Sequence, residues 1–196
     1  MENTGIIILA AGNSTRLGRP KQLVSYGDQT LIQHAVSAAL STPTAPVILV
    51  LGADSKAIKP TISQTDLVII ENKDWQQGLA SSVRAGVSAL LKSHPSIDGA
   101  ILMVCDQPFV TSSILSQLIE KHKATEKEII ASEYENTLGT PAFFHKSQFK
   151  KLLALFGDSG AKKLINKHPE LVDKVAFPEG IIDIDTEEDV AKLIKH

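Results

Sequence analysis

Short apolar runs alternate along this chain with longer stretches in which apolar residues recur every three or four positions. The runs at 5–9, 47–51, 67–70 and 100–104 are continuous and aliphatic, as is typical of strands buried on both faces of a parallel sheet. The periodic stretches predict amphipathic helices that cover the sheet. Their alternation predicts right-handed βαβ units, and hence an α/β fold with a Rossmann-like, mostly parallel sheet flanked by helices.

Polar residues before the periodic stretches indicate where helices begin. Thr30 precedes a stretch with apolar residues at 31, 32, 35, 36, 39 and 40, and Thr111 precedes another. Thr186 precedes the last one, and Asp189 lies three residues later, which approximates a capping box. A further amphipathic helix is predicted around 79–91.

Composition narrows the class of protein. The 196 residues carry a net charge of −2, 43% are hydrophobic and mean hydropathy is near zero, which predicts one globular domain over 1–196. No apolar run approaches the ~20 residues of a membrane span, and the short segment before the first strand leaves no room for a signal peptide. The lone cysteine, Cys105, excludes an intrachain disulfide, so a cytoplasmic location is expected. Scattered histidines disfavour a zinc site, and nucleic-acid binding is disfavoured because the chain has no basic stripe.

The segment 9–21, which follows the first strand, combines small residues, glycines and cations. Such a loop brings backbone N–H groups close to an anion, so it predicts a phosphate cradle at the end of the strand. The spacing of the P-loop and of the dinucleotide fingerprint is absent. The alternative interpretation is an ordinary turn with surface charges. The candidate residues of this loop are Leu9, Ala10, Ala11, Gly12, Ser14, Arg16 and Lys21.

Two acidic positions are candidates for a metal site. Asp106 directly follows a predicted strand, at the sheet edge where open α/β sheets bind ligands, and one carboxylate plus substrate phosphates suits Mg²⁺. Alternatively, Asp106 is a turn residue fixed by Pro108. Asp183 and Asp185 alternate with isoleucines, which predicts a strand with both carboxylates on one face. Cys105 is expected to be a core residue rather than a nucleophile.

The loop resembles the Leu-Ala-Ala-Gly-x-Ser-x-Arg-Met-Gly-x-Pro-Lys signature of molybdenum cofactor cytidylyltransferases, within the MobA-like nucleotidyltransferase superfamily, with Leu17 in place of the methionine. The Asp-Gln-Pro string at 106–108 and the Asp-Ile-Asp-Thr string at 183–186 resemble the family's two acidic motifs. The segment 72–84 resembles its Asn-x-x-Trp-x-x-Gly-x-x-x-Ser-x-Arg segment, and 157–162 its Gly-Asp-x-Gly-Ala-Arg segment, with Lys162 in place of arginine. Lysine lacks the bidentate fork of arginine, which weakens a phosphate-binding role at that position.

This resemblance implies a nucleotide-diphospho-sugar transferase-like fold and a set of roles. Lys21, Arg16 and Asp106 are implied as catalytic, and Asp106 and Asp185 as ligands of Mg²⁺; Asp183 is a secondary candidate. Because Lys21 lies in a polar loop, it is expected to matter little for folding. Residues at the start of the helix near 79 are further phosphate-binding candidates, the alternative being caps and a surface charge: Gly78, Ser81, Ser82 and Arg84.

The implied reaction transfers CMP from CTP to the phosphate of molybdopterin, forming molybdopterin cytosine dinucleotide and pyrophosphate. A molybdenum hydroxylase of the xanthine dehydrogenase type is the implied recipient. Guanylyltransferase relatives carry glycine where this chain has Ala11, whose methyl leaves less room for a purine, so CTP is expected over GTP. The alternatives are a sugar- or polyol-phosphate pyrophosphorylase, a molybdenum cofactor carrier, and an oxidoreductase of the same superfamily.

Overall fold

The structure, a computed structural model, describes residues 3–44 and 46–193. Its helices and strands in chain order are β1 (Thr4–Ala10), β2 (Ser25–Tyr26), β3 (Gln29–Thr30), α1 (Leu31–Leu40), β4 (Val47–Leu51), α2 (Ser55–Ile58), β5 (Val68–Glu71), α3 (Leu79–Ser93), β6 (Gly99–Val104), α4 (Ser112–Thr125), β7 (Ile129–Tyr134), β8 (Thr137–His145), α5 (Phe149–Leu153), α6 (Ala161–Lys167), β9 (Val172–Ala176) and α7 (Glu187–Leu193). No helix within these ranges combines the length and apolarity needed to cross a membrane.

Seven of the strands form one sheet in the order β5-β4-β1-β6-β8-β7-β9, while β2 and β3 form a separate hairpin. Strands β5, β4, β1 and β6 are mutually parallel. Strand β8 runs antiparallel to both β6 and β7, and β9 is parallel to β7. The α/β fold with a mostly parallel sheet flanked by helices is therefore confirmed.

Alternate residues of the central strand face opposite sides of the sheet, as the period of two in a strand requires. Ile6 and Ile8 pack with α1 and α4, whereas Ile7 and Leu9 pack with α3, α5 and α6. All four side chains are buried, so β1 has no polar face. The result is a sheet between two helical layers, with the carboxyl ends of β1, β4 and β6 at the same edge.

A smaller apolar cluster lies outside these two layers and joins two segments that are distant in the chain. It combines apolar residues from the segment after β1 with others from the C-terminal segment: Leu17, Val24, Leu31, Ile184, Val190 and Leu193. Burying these side chains together holds the loop that carries Lys21 against the segment that carries Asp185.

The predicted strand over 183–185 is wrong. Residues Pro178–Ile181 form a short 3₁₀ turn, and the chain then runs extended, without a strand partner among the described residues, into α7. The isoleucine pattern has a different cause: Ile184 is fully buried in the small cluster, and its backbone N–H donates to the carbonyl of Asp106 at 3.0 Å. The start of α7 agrees with the prediction, because Asp189 Oδ2 accepts from both the backbone N–H and the hydroxyl of Thr186.

Candidate active site

The site lies where β1 and β6 end side by side. Leu9 of β1 is in register with Val104 of β6, so the loop after β1 and the turn after β6 meet at one sheet edge. The crevice outside the carboxyl ends of the strands is the usual ligand position in open α/β sheets. Here that edge carries Lys21 on the first loop and Asp106 on the second.

Two side chains fix the shape of the loop after β1. Ser14 adopts a left-handed backbone conformation with φ of 51°, and its Oγ accepts a hydrogen bond from the backbone N–H of Lys21 at 3.0 Å. Gln22 is buried, and its Nε2 donates to the carbonyls of Ala10 and Gly12 at 3.0 Å each. The loop is thus tied at both ends before any ligand contacts it.

A cluster of two cations and two carboxylates occupies the centre of the edge. Lys21 Nζ lies 2.7 Å from Asp106 Oδ2 and 2.5 Å from Asp185 Oδ1. Arg16 donates to the other oxygen, Oδ2, of Asp185. The Lys21 side chain is only 14% exposed, whereas that of Arg16 is 72% exposed. Burial alone would lower the pKa of Lys21, but the attraction of Asp106 and Asp185 outweighs it and raises that pKa, so the ammonium stays charged.

Backbone hydrogen bonds bring the second carboxylate to this centre from far along the chain. The bond from Ile184 N–H to the Asp106 carbonyl joins the two acidic segments directly. Asp189 Oδ2 also accepts from the backbone N–H of Asp185 at 3.2 Å, so the capping residue of α7 orients the Asp185 backbone as well. Asp106 and Asp185 therefore meet at Lys21 although the strand predicted around 183–185 does not form.

The first cavity, of about 440 Å³, opens over the loop. Its walls come from the loop, from the end of β6 with the turn after it, and from the segments around 75–82 and 158. The lining residues are Leu9, Ala10, Ala11, Gly12, Asn13, Lys21, Gln22, Trp75, Gln76, Gly78, Leu79, Ser82, Val104, Cys105, Asp106 and Asp158. A cavity of this size, with Trp75 and Lys21 in its lining, has the dimensions and chemistry for a nucleotide.

A second cavity, of about 370 Å³, is also lined by Asp106. Its lining is Val104, Asp106, Gln107, Tyr134, Thr137, Thr140, Lys162, Gly180, Ile181 and Asp183. Burial raises the pKa of Asp183, and the nearby charges of Asp185 and Asp106 raise it further. Asp106 and Val104 line both cavities, so ligands in the two would meet at Asp106.

The candidates at the start of α3 separate into two groups. Gly78 has a φ of +91°, and a Cβ there would lie 2.5 Å from both Asp158 Oδ1 and the Gly157 carbonyl oxygen, so only glycine fits this wall of the first cavity. Ser82 also lines that cavity, and its Oγ accepts from the buried amide of Asn72 at 3.0 Å.

The structure does not bring Ser81 and Arg84 to either cavity. Ser81 Oγ donates to the Gly78 carbonyl at 2.8 Å and accepts from Asn72. Arg84 donates to the carbonyl of Leu155 at 2.6 Å. These contacts tie α3 to its neighbours, and we leave both residues out of the proposed site.

The acidic residues fit a divalent cation on one further observation. Asp106 Oδ1 is buried and accepts no hydrogen bond from any residue in the described ranges. A buried carboxylate oxygen without a donor is costly unless a cation satisfies it. Over the same ranges, no three acidic, histidine or cysteine side chains form a closed cage. This donor set suits Mg²⁺, which takes one or two carboxylates and completes its octahedron with waters and phosphate oxygens.

The fold and this edge define a class of nucleotide-binding α/β protein in which a cationic loop faces acidic side chains. Within that class the chain belongs to the MobA-like NTP transferase family, whose sequence profile matches residues 6–172. The nicotine blue oxidoreductase of Paenarthrobacter nicotinovorans is 28% identical over 201 residues, which cover 96% of this chain and 95% of that protein.

Solved structures support the same relationship. Rv0371c from Mycobacterium tuberculosis superposes with a TM-score of 0.85 at 31% identity, covering 100% of this chain and 98% of that one. A manganese complex of Rv0371c from the same organism superposes with a TM-score of 0.80 at 29% identity, covering 100% and 99% of the two chains.

Several lining residues were not among the sequence candidates. Trp75 and Asp158 lie within segments that carry the family resemblance, and those segments were the available signal. Gln107 follows Asp106 directly, and its buried amide donates to the Gly180 carbonyl at 2.7 Å. Tyr134 comes from the β7–β8 hairpin, which the apolar pattern does not predict, so no local pattern indicates its place in the second cavity.

Proposed function

We propose that this protein is a nucleotidyltransferase that transfers CMP from CTP to the phosphate of molybdopterin and releases pyrophosphate. The observation that carries the transfer is the pair of cavities that share Asp106, because a donor and an acceptor in those cavities would meet beside Lys21. CTP as donor and molybdopterin as acceptor rest on the motifs of the sequence.

In this reaction an oxygen of the acceptor phosphate attacks the α-phosphorus of CTP. The bond from that phosphorus to the bridging oxygen of pyrophosphate breaks, and pyrophosphate leaves with its electron pair. The attacking phosphate is already anionic near neutral pH, so no residue needs to remove a proton. What the chain supplies is position and positive charge, the two main contributions in transfer at phosphorus.

The first cavity would hold CTP, with the triphosphate along Ala10–Gly12 and the base toward Trp75. Lys21 and Arg16 would neutralise charge on the α-phosphate and the leaving group. The second cavity would hold the acceptor, where Lys162 is a point charge for its phosphate. Asp106 and Asp185 would hold Mg²⁺, whose chemistry would be to polarise the α-phosphate and to screen the two substrates from each other.

The test is pyrophosphate release by purified protein with CTP, Mg²⁺ and molybdenum cofactor, against GTP and against sugar phosphates as acceptors. We expect turnover with CTP and the cofactor, and a loss of turnover of about 10²-fold or more in Lys21→Ala, as for other lost transition-state charges. The matched control is Lys174→Ala, which removes a lysine that pairs with Glu133 away from both cavities. If sugar phosphates were the only acceptors that support turnover, the protein would instead be a pyrophosphorylase. Binding of the cofactor without pyrophosphate release would indicate a carrier.

A second candidate function follows from the similarity to the nicotine blue oxidoreductase, which extends over almost the whole of both chains. It predicts an oxidation–reduction reaction in place of group transfer, for which a nicotinamide nucleotide and a dye are the probes. Absorbance at 340 nm with NADH or NADPH and a quinonoid dye would reveal it. The absent dinucleotide fingerprint and the acidic pair beside Lys21 favour the transferase.

A further inference from the structure

Lys21 stands in the space that a metal ion on Asp106 and Asp185 would need. Its Nζ hydrogen-bonds to one oxygen of each carboxylate, at 2.7 and 2.5 Å. Arg16 pairs with the remaining oxygen of Asp185. Three of the four carboxylate oxygens thus face a protein cation, and only Asp106 Oδ1 has no partner among the described residues.

Two cations cannot share this position. A divalent ion held by both Asp106 and Asp185 would compete with the Lys21 ammonium for the same carboxylates, and like charges held that close repel strongly where solvent is partly excluded. The Lys21 side chain is 14% exposed and those of the two carboxylates 20% and 21%, so solvent screens this repulsion only in part. The ammonium must therefore move before a metal ion binds both residues.

Moving the Lys21 ammonium away from the two carboxylates is costly unless another anion pairs with it, because a partly buried charge without a partner is destabilising. The first cavity, which Lys21 also lines, is where the proposed triphosphate would supply that anion. When a nucleotide binds, its phosphate oxygens would pair with the Lys21 ammonium, and both carboxylates would then be free to bind the metal.

We propose, on the basis of the proposed function, that Lys21 is a placeholder cation that keeps divalent metal off Asp106 and Asp185 until a nucleoside triphosphate draws its ammonium away. Binding of metal and of nucleotide is then positively coupled, and the coupling is reciprocal. Removing this cation is therefore expected to impair the transfer reaction yet strengthen metal binding in the absence of nucleotide.

The experiment measures Mn²⁺ binding without nucleotide, from the loss of the free Mn²⁺ signal in electron paramagnetic resonance. Lys21→Met and Lys21→Gln, each checked for a wild-type circular dichroism spectrum, are expected to bind Mn²⁺ at least about tenfold more tightly than wild type, within the usual range of coupling between sites. Lys21→Arg keeps the charge and is expected to match wild type. Adding Asp106→Asn to Lys21→Met should remove the gain, which assigns the bound ion to this site.

Lys174→Met is the control for net charge. Lys174 does not line the first cavity and pairs with Glu133 at a distance of 2.5 Å, so this variant is expected to leave Mn²⁺ affinity unchanged. Equal or weaker Mn²⁺ binding in both neutral Lys21 variants overturns the placeholder assignment. A gain of the same size in Lys174→Met also overturns it, since the effect would then be one of overall charge.

The same titration with CTP present separates this inference from the function on which it rests. Wild-type protein should bind Mn²⁺ more tightly with CTP than the nucleotide binds it in free solution. If it does, and the neutral variants show no gain without nucleotide, the placeholder role is wrong and the transferase assignment stands. If wild-type protein recruits no Mn²⁺ even with CTP, the transferase assignment itself is wrong.

Discussion

A methyl group added at Gly52 would test how tightly the loop after β1 is held by the loop after β4. Gly52 directly follows β4, which ends beside β1, and the N–H of the next residue, Ala53, donates to the Ala11 carbonyl at 3.3 Å. A Cβ at Gly52 would lie 2.4 Å from that carbonyl oxygen, 2.7 Å from the Ala11 Cβ and 2.9 Å from its Cα. Two of these atoms are backbone, so no side-chain rotation relieves the overlap.

The size of the effect follows from those distances. Carbon atoms pack at about 3.5–4.0 Å, so Gly52→Ala must displace Ala11 or the loop after β4 by about 1 Å. Overpacking of this kind costs about 1–3 kcal/mol of unfolding free energy, which in a chain of this size lowers the melting temperature by roughly 2–4 °C per kcal/mol. Ala11 lines the first cavity, and a 1 Å misplacement near reacting groups lowers turnover by about 10²-fold.

The assay for Gly52→Ala combines thermal unfolding with pyrophosphate release and calorimetric CTP binding. Gly12→Ala is the matched control for stability, because a Cβ at Gly12 meets no atom within 4 Å. We expect the control to keep the wild-type melting temperature, whereas Gly52→Ala loses both stability and CTP affinity. A Gly52→Ala protein with wild-type melting and wild-type CTP affinity would refute the idea that this contact positions the loop.

Three further predictions concern the site. Asp106→Asn and Asp185→Asn should each lower pyrophosphate release, and the double variant should cost far less than the product of the two losses because both act through one ion; multiplicative losses would argue against a shared metal. Wild type should prefer CTP, and Ala11→Gly should raise the GTP-to-CTP rate ratio by an amount worth about 1–3 kcal/mol; an unchanged ratio would remove the steric explanation. Burial, together with the charge of Asp106, raises the pKa of the Cys105 thiol to about 12. At pH 8 this thiol should therefore react with a disulfide reagent far more slowly in the native protein than in urea, where its pKa is about 8.5. Equal rates in the two states would contradict the burial of Cys105.

The parallel half of the fold was predictable, whereas the antiparallel half was not, and the reason lies in the side chains. Strands buried on both faces require continuous apolar runs, and β1, β4 and β6 have them. Strands β7 and β8 instead mix polar residues with apolar ones, and Pro141 lies in the middle of the second. The turn between them uses Glu135 and Asn136 at positive φ, and neither is the glycine that usually marks a hairpin, so the hairpin was not predictable from its turn residues.

For the candidate site, the sequence positions of the acidic and basic residues were predictable, but the proximity of Asp185 to the other two residues was not. Lys21 and Asp106 follow neighbouring strands, which places both at one edge of the sheet. The approach of Asp185 depends on the small apolar cluster around Ile184 and on one backbone hydrogen bond to the Asp106 carbonyl, and neither appears in a local pattern. The alternation of aspartate and isoleucine predicted a strand over 183–185, whereas the structure has an extended segment there, in which Ile184 is buried.

The contacts of Lys21 change the expectation that it matters little for folding. That expectation treated the residue as part of a polar loop, but its side chain is mostly buried and holds two carboxylates that would otherwise repel each other. Removing one member of a buried ion pair leaves an uncompensated charge, so neutral substitutions at Lys21 should cost stability as well as turnover. A metal ion bound between Asp106 and Asp185 would replace the lost charge, so Mn²⁺ should restore more stability to Lys21→Met than it adds to wild type. Under the proposed function, stability and turnover would therefore both require a cation on Asp106 and Asp185, either the Lys21 ammonium or a metal ion.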